Sequence, residues 1–330
     1  MGEFELIRRF FERGPARRAE LGIGDDCALL SLRGESAGCA TTINGSGHGV
    51  ASLAVSTDML VAGRHFFEDV DPVTLGHKAL AVNLSDLAAM GAEPRAFTLA
   101  LALPAADEQW LSGFAQGMFA LADRFGCELI GGDTTRGPLN ICITVFGDCP
   151  AGVALRRDRA EPDDDLWVSG ELGAAAYALR ERIAGRQVQP SHPARLRLEK
   201  PEPRVPLGLA LRHLARAAID LSDGLIGDLG HITERSRVGA EIDWPSLPFA
   251  GELRSLPEPV RQALVLGGGD DYELLFSAAP ENRSAIEALA GRQNLRLSRV
   301  GRIVVGAGVT VLDRRGKPIH ANVRSFDHFG

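Results

Sequence analysis

The chain has 330 residues, of which 45% are apolar, 24% charged and 6% aromatic. This composition is typical of a globular protein and excludes a disordered, collagen-like or coiled-coil chain. The net charge of −7 argues against a nucleic-acid-binding protein, which needs a basic surface, and the length favours two domains.

Neither the cysteines nor the apolar segments indicate an exported or membrane protein. The five cysteines form no CxxC pair, so we expect reduced thiols rather than disulfides or a zinc ribbon. The first residues carry charges throughout and lack the apolar region of a secretory signal. No uncharged apolar run approaches the ~18 residues of a membrane span. We therefore expect a cytoplasmic protein with no membrane or nucleic-acid partner.

The first half of the chain alternates helices and strands, which predicts an α+β domain over residues 1–150. Its predicted helices cover 3–11, 72–90 and 107–125. Its predicted strands cover 51–57, 96–103, 127–130 and 139–147. Its predicted loops are GIGDDCALL at 22–30, a Gly-rich stretch at 33–50 and GGDTTRG at 131–137. Asp71 is expected to cap the second helix and Gly91 to end it.

The polar segment 150–165 is rich in turn-forming residues, so we place the domain boundary there and assign 151–330 to an α/β domain. We predict strands at 166–170, 217–221 and 240–244, and helices after 170, at 207–215 and at 223–237. Residues 185–206 are expected to form an extended connection. A loop with the sequence GGGDDYEL at 267–274 and a β-α-β-β ending complete the domain.

Aspartates recur where the chain changes direction. They are Asp25, Asp26, Asp58, Asp133, Asp220, Asp223, Asp270 and Asp271. Asp beside Gly is common in turns, and Asp before a helix is an ordinary cap, so each one alone favours a structural role. Asp86 differs because it lies inside an apolar helix, where a carboxylate is costly unless it is paired or metal-bound.

Many carboxylates near Gly-rich turns are typical of phosphate chemistry through Mg²⁺. Mg²⁺ prefers oxygen ligands and bridges carboxylates to phosphates, which would otherwise repel them. The chain contains no P-loop, dinucleotide fingerprint or HExxH zinc motif. Cys27 has no obvious base nearby to make it a nucleophile. His65 lies close to the Ser-Thr-Asp sequence at 56–58, so substrate contact and an inert surface histidine are equally plausible.

Several long motifs, taken in order, resemble the thiamine-monophosphate kinase family of the aminoimidazole ribonucleotide synthetase superfamily. They are GIGDDCALL, STDMLVAGRHF, HKALAVNLSDLAAMGAEPRAFTLALALP, GGDTTRG, AIDLSDGLIGDLGHI, GGDDYELLF and the terminal FDHFG. The resemblance implies a homodimer in which strands of the N-terminal domains form a barrel at the interface. It also implies Mg²⁺-dependent phosphorylation of thiamine monophosphate by ATP, the last step of thiamine diphosphate synthesis.

The resemblance also implies roles for individual residues. The Mg²⁺ ligands would be Asp26, Ser56, Thr57, Asp58, Asp86, Asp133, Asp220 and Asp223. The ATP contacts would be Gly132, Asp133, Arg157 and Ser222. The contacts to thiamine monophosphate would be His65, Asp270 and Phe326. Two features differ from the family pattern: Asp270 stands where the family has Glu, and the loop 33–50 is longer.

A phosphate oxygen is already ionised near neutral pH, so the expected reaction is direct in-line transfer, without a catalytic base or a phospho-enzyme. The alternatives are another enzyme of the superfamily and a non-catalytic nucleotide-binding regulator. Selenophosphate synthetase would need a reactive cysteine near the N-terminus, for which Cys27 is the candidate. The hydrogenase-maturation enzyme would need a C-terminal cysteine, whereas the sequence ends in DHFG.

Overall fold

A computed structural model describes residues 2–12, 19–31 and 52–319. The first part contains α1 (Glu3–Phe10), β1 (Ala19–Leu21), β2 (Ala28–Ser31), β3 (Ser52–Val61), α2 (Pro72–Ala89), β4 (Glu93–Leu103), α3 (Glu108–Phe125), β5 (Glu128–Arg136) and β6 (Asn140–Cys149). The second contains β7 (Asp165–Ser169), α4 (Ala174–Ile183), α5 (Pro193–Glu199), α6 (Val205–Leu211), β8 (Ala217–Asp220), α7 (Leu225–Ser236), β9 (Gly239–Asp243), α8 (Glu258–Leu266), β10 (Leu274–Ala278), α9 (Arg283–Gln293), β11 (Leu297–Val304) and β12 (Gly308–Leu312). Short 3₁₀ helices lie at Arg157–Arg159, Trp244–Ser246, Gly251–Ser255 and Pro280–Asn282.

The first sheet has the strand order β1-β2-β3-β6-β4-β5, with β4 and β5 parallel and the other neighbours antiparallel. Alternate residues of a strand face opposite sides of a sheet. On one side, Ile143 and Phe97 are buried beneath α2. On the other side, Met59 is 52% exposed. Within the described chain the sheet is open, with β1 and β5 as its edges.

Helices α2 and α3 pack against each other at two glycines. A Cβ on Gly76 would lie 1.9 Å from the Phe114 carbonyl oxygen, and one on Gly117 would lie 1.8 Å from that of Val73. Both distances are far below van der Waals contact, so a side chain at either position would force the helices apart. The glycines therefore set the close approach of α3 to the helix that carries Asp86.

The second sheet has the order β12-β9-β11-β7-β10-β8 and is covered on both sides. Only β12 and β9 run parallel among its described pairs. Leu166, Val168 and Leu275 pack into a core with α4, α7 and α8, whereas Trp167 and Phe276 belong to a core that continues into the first sheet. This core joins the two domains, with α2 contacting both β3 and β8.

The structure confirms most of the predicted elements and corrects several. Asp71 caps α2 by accepting a hydrogen bond from the Thr74 backbone N–H at 2.9 Å. The segment GGDTTR, predicted as a loop, is part of β5 because its backbone pairs with β4 over Thr98–Leu103. The predicted extended connection 185–206 contains α5, with His192 as its N-cap and Pro193 in its first turn. Helix α8 was not predicted. The Gly-rich loop 33–50 lies outside the described residues.

No helix in the described part of the chain is long and apolar enough to cross a bilayer.

Candidate active site

Three carboxylates from distant parts of the chain meet between the two sheets. Asp26 precedes β2, Asp86 lies in the last turn of α2, and Asp220 ends β8. One oxygen atom of each lies within 4.8 Å of those of the other two, and we call these three residues the acid cluster. Carboxylates this close repel one another strongly when water is excluded. The acid cluster therefore has the composition of a binding site for a cation that prefers oxygen ligands.

Hydroxyl groups hold two of these carboxylates in place. The Ser56 Oγ donates to Asp86 Oδ2 at 2.6 Å, which ties α2 to β3. The Ser85 Oγ donates to Asp220 Oδ2 at 2.7 Å, which ties α2 to β8. Both hydrogen bonds orient an oxygen while leaving the second one of the carboxylate available.

Arg157 holds the third carboxylate from the segment between the sheets. Its Nη2 donates to Asp26 Oδ1 at 2.5 Å and its Nε to Oδ2 at 3.2 Å, which makes a bidentate pair. Its backbone N–H donates to Asp25 Oδ2 at 3.1 Å. One guanidinium cannot balance the surrounding carboxylates when these are ionised, as they would be around a bound cation.

Asp58 brings a further carboxylate to the same side of β3 as Ser56, since the two residues are two apart. Its backbone N–H donates to the Asn83 side-chain oxygen at 3.0 Å, which fixes the strand against α2. Burial, followed by the charge of Asp223, raises the pKa of Asp58 to about 6.

Burial also raises the pKa of Asp86 and of Asp220 well above the usual range. The charge of Asp58 adds to this effect on Asp86, and the charge of Asp26 adds to it on Asp220. A bound divalent cation reverses this balance, because it favours the ionised form of each ligand. The hard oxygen donors and the repulsion among them fit Mg²⁺.

Two polar cavities meet at these carboxylates. The first, which we call the polar cavity, has a volume of about 480 Å³ and includes His65 and Asp270 in its lining. The second, of about 690 Å³, is lined partly by Arg8, Arg157, Arg235 and Arg237, and we call it the arginine cavity. Both contain Asp58, Asp86, Ser222 and Asp223 in their walls. Two anionic groups can therefore approach the acid cluster from different sides.

A third cavity, of about 280 Å³, adjoins the polar cavity and is mostly apolar. We call it the apolar cavity; its lining includes Phe66, Phe67, Val70, Leu75, Leu179 and Leu198. His65, Lys78 and Asp270 line both this cavity and the polar cavity. The arrangement fits a ligand with an apolar ring at one end and an anionic group at the other.

Comparison with known proteins agrees with this two-domain architecture. Residues 24–149 match the family model of the AIR synthase related protein N-terminal domain. Residues 161–314 match the model of the corresponding C-terminal domain.

Thiamine-monophosphate kinase of Escherichia coli (strain K12) is 44% identical over 335 aligned residues, which cover 99% of this chain and 98% of the relative. The chain belongs to the thiamine-monophosphate kinase family. The crystal structure of the family's kinase from Stenotrophomonas maltophilia K279a is 47% identical, with a TM-score of 0.77 and 96% of each chain covered. AaThiL complexed with AMPPCP and TMP is 28% identical, with a TM-score of 0.81, 99% of this chain and 97% of that chain covered.

Most of the residues to which the family resemblance gives a role lie around the acid cluster. They are Ser56, Asp58, His65, Arg157, Ser222, Asp223 and Asp270, which hold or line the site as described above. Phe326 lies outside the described residues.

Thr57 and Asp133 lie on the opposite side of the first sheet. Thr57 also lines the polar cavity, but its hydroxyl is 2.8 Å from that of Thr144 on β6. Asp133 pairs with Ala100, which pairs with Cys142, and these residues face the same side as Thr57. Strands β6 and β4 also lie between β3 and β5. Three strand spacings put β5 about 14 Å from β3. The Asp133 carboxylate therefore does not join the acid cluster of its own chain.

Gly132 has a local structural reason to be glycine. Its φ is +147°, and a Cβ would lie 1.8 Å from the Leu99 carbonyl oxygen. No other residue fits this pairing of β5 with β4.

Two buried charged residues, Lys78 and Glu273, were not predicted from the sequence. Lys78 is buried in α2 and pairs with Asp270. Glu273 is fully buried and accepts hydrogen bonds from Ser169 and Arg204, both at 2.6 Å. A lysine within an apolar helix was a visible signal, since the chain has only three lysines. Glu273 could not be singled out in this way. It lies just before the apolar strand β10, and its sequence context does not show that it is buried.

Proposed function

We propose that this protein transfers the γ-phosphate of ATP to thiamine monophosphate, giving ADP and thiamine diphosphate. The observation that carries the proposal is the acid cluster between two polar cavities, one of which opens into an apolar cavity. The family relationship gives the substrates, since AaThiL was solved with AMPPCP and TMP.

We assign ATP to the arginine cavity and thiamine monophosphate to the polar and apolar cavities. Arg157 and Ser222 line the arginine cavity and would contact the nucleotide. His65 and Asp270 line both the polar and the apolar cavity, and the acceptor's ring and phosphate would meet beside them. The apolar walls formed by Phe66, Phe67 and Leu179 suit the ring system.

The nucleophile is a phosphate oxygen that is ionised without help from the protein. The protein's contribution is then to position two anions in line and to reduce the repulsion between them. Asp26, Asp58, Asp86 and Asp220 would hold Mg²⁺, with Ser56 and Asp223 beside them. When bound there, the ion would supply positive charge that reduces the repulsion between the two phosphates. We expect direct transfer; label from γ-labelled ATP found on the protein would contradict it.

We also propose a homodimer whose first sheets form a barrel. The side of the sheet away from α2 carries Met59, and at its edge Ile130 is 61% exposed. A second copy on this side would cover the apolar surface. It would also give Asp133 a route to a metal site, namely that of the partner chain.

The test is to incubate the purified protein with ATP, thiamine monophosphate and Mg²⁺ and to measure thiamine diphosphate and ADP. The proposal predicts equal amounts of both products. ADP formed without thiamine diphosphate would indicate another enzyme of the superfamily. Nucleotide binding without turnover would indicate a non-catalytic regulator. Light scattering of the same sample gives the mass in solution, and a monomer would contradict the barrel.

A further inference from the structure

Lys78 connects three segments at the wall between the polar and apolar cavities. Its side chain is 3% exposed. The Nζ donates to Asp270 Oδ1 at 2.7 Å, to the Leu198 carbonyl at 3.0 Å and to the His65 carbonyl at 3.4 Å. Three N–H donors thus have three acceptors, which fixes the ammonium group in one position.

Stability alone does not account for this pair. A buried ion pair contributes little net stability compared with apolar residues of similar volume. Lys78 stands among apolar residues of α2, such as Leu75 and Val82, where an apolar side chain would pack without desolvating a charge. The location of Lys78 is more informative, because two of its three acceptor residues, His65 and Asp270, line both cavities.

The backbone at Asp270 has an unusual conformation that a hydrogen bond holds in place. Its φ of +66° lies in the left-handed region, which is strained for a residue with a Cβ. Its N–H donates to the Ser222 carbonyl at 2.8 Å. Because aspartate has a single methylene, the position of its carboxylate is set by this backbone and by Lys78.

The charges at this wall suit a ligand with both signs of charge. Thiamine monophosphate has a cationic thiazolium ring and an anionic phosphate. Asp270 would attract the ring but repel the phosphate. A carboxylate anchored to Lys78 stays at the wall and does not swing into the polar cavity, where the phosphate would lie.

We propose that Lys78 is a positioning residue for the acceptor: it anchors the Asp270 carboxylate between the two cavities and so selects the orientation of thiamine monophosphate. This inference rests on the proposed function. It assigns to Lys78 an effect on the acceptor that acts through Asp270 and leaves the nucleotide untouched.

The experiment measures KM for thiamine monophosphate, KM for ATP and kcat in four variants of the full chain. They are Lys78→Met, Asp270→Asn, the double variant Lys78→Met/Asp270→Asn, and the control Lys200→Met. Lys200 is exposed at the end of α5. The double variant removes both charges, so it tests the idea even if the unpaired carboxylate in Lys78→Met impairs folding.

The proposal predicts that Lys78→Met raises KM for thiamine monophosphate at least about tenfold while KM for ATP changes less than about twofold. It also predicts that the double variant matches Asp270→Asn, because the lysine acts through that carboxylate. Lys200→Met should match the wild type. Equal changes in both KM values, or multiplied effects in the double variant, would overturn it. An inactive wild type would instead overturn the proposed function.

Discussion

Ser85 donates a hydrogen bond to Asp220 at 2.7 Å, and this contact joins α2 of the first domain to β8 of the second. The next residue, Asp86, accepts from Ser56 of β3. Two consecutive residues of one helix therefore fix the acid cluster to both sheets. The geometry of the proposed metal site depends on how the domains pack, so contacts outside the metal ligands should affect metal binding.

Ser85→Ala should weaken activation by Mg²⁺ about tenfold, because an outer hydrogen bond that orients a metal ligand is typically worth that much. The measurement is a titration of activity with Mg²⁺ at saturating substrates. Ser246→Ala is the matched control, since Ser246 donates to Asp243 at the start of a 3₁₀ helix away from the site. An unchanged Mg²⁺ midpoint in Ser85→Ala would contradict the expectation.

Asp58→Asn and Asp86→Asn should abolish turnover and leave the fold intact, because an amide cannot supply an anionic ligand. Burial raises the pKa of both carboxyls, so a neutral amide relieves repulsion. Without metal, the variants should melt no lower than the wild type. With Mg²⁺, the wild type should gain thermal stability and the variants should not. Near-normal activity at saturating Mg²⁺ would remove these residues from the proposed site.

Mixed dimers test whether Asp133 serves the partner's site. Asp133→Asn and Asp86→Asn should each be inactive alone. If each site combines the acid cluster of one chain with Asp133 of the other, random mixing restores about a quarter of the wild-type activity. The two variants are to be mixed under conditions that exchange subunits, with each variant exchanged against itself as the control. No recovery after proven exchange would place both residues in one chain's site.

Gly76→Ala should lower stability by about 1–3 kcal/mol or more, because the added methyl overlaps the Phe114 carbonyl at the contact of α2 with α3. Gly230→Ala is the matched control within α7, where nothing lies within 4 Å of a Cβ. It should be neutral or stabilising by up to about 1 kcal/mol. Denaturant unfolding of both variants measures the difference, and similar results for the two would refute the packing argument.

The free energy of unfolding should fall in mild acid because His77 is buried. Burial lowers the pKa of its imidazole, whose Nε2 donates to the Pro201 carbonyl at 2.7 Å. As the pH falls below about 6.5, the unfolded chain takes up this proton before the folded one does, so stability decreases by at most about 1.4 kcal/mol per pH unit. His77→Gln keeps a donor that does not titrate, and its decline should be shallower. His213→Gln is the control at an exposed histidine, and its stability should depend on pH as that of the wild type does. If the stability of His77→Gln declines with pH as steeply as that of the wild type, the prediction is wrong.

Most of the helices and strands could be predicted from the sequence, because each follows a local pattern, whereas the family resemblance assigned Asp26 and Asp220 to the proposed metal site. Asp86 stood out as a charge in an apolar helix, and Asp26 and Asp220 stood in turns. The strand character of GGDTTR could not be predicted, since it comes from pairing with β4 rather than from local propensity. The same holds for the side of the sheet that Asp133 faces, which depends on the register with Ala100.

Residues that act through distant partners were the ones missed. Lys78 contacts Asp270 across 192 positions of sequence, and Arg204 contacts Glu273 across 69. No local pattern links such pairs.

The domain boundary that we proposed at residue 150 follows the end of β6 at Cys149 and precedes β7, which begins at Asp165.

The shared wall of His65, Lys78 and Asp270 has a consequence for inhibitor design. A compound that fills only the apolar cavity, of about 280 Å³, would contact Asp270 but would not reach the acid cluster. A compound that also carries a cation past Asp270 and an anion into the polar cavity would compete with the acceptor alone. The family resemblance implies a glutamate at position 270, and aspartate is one methylene shorter, so we expect a compound with a longer linker at that point to fit this chain.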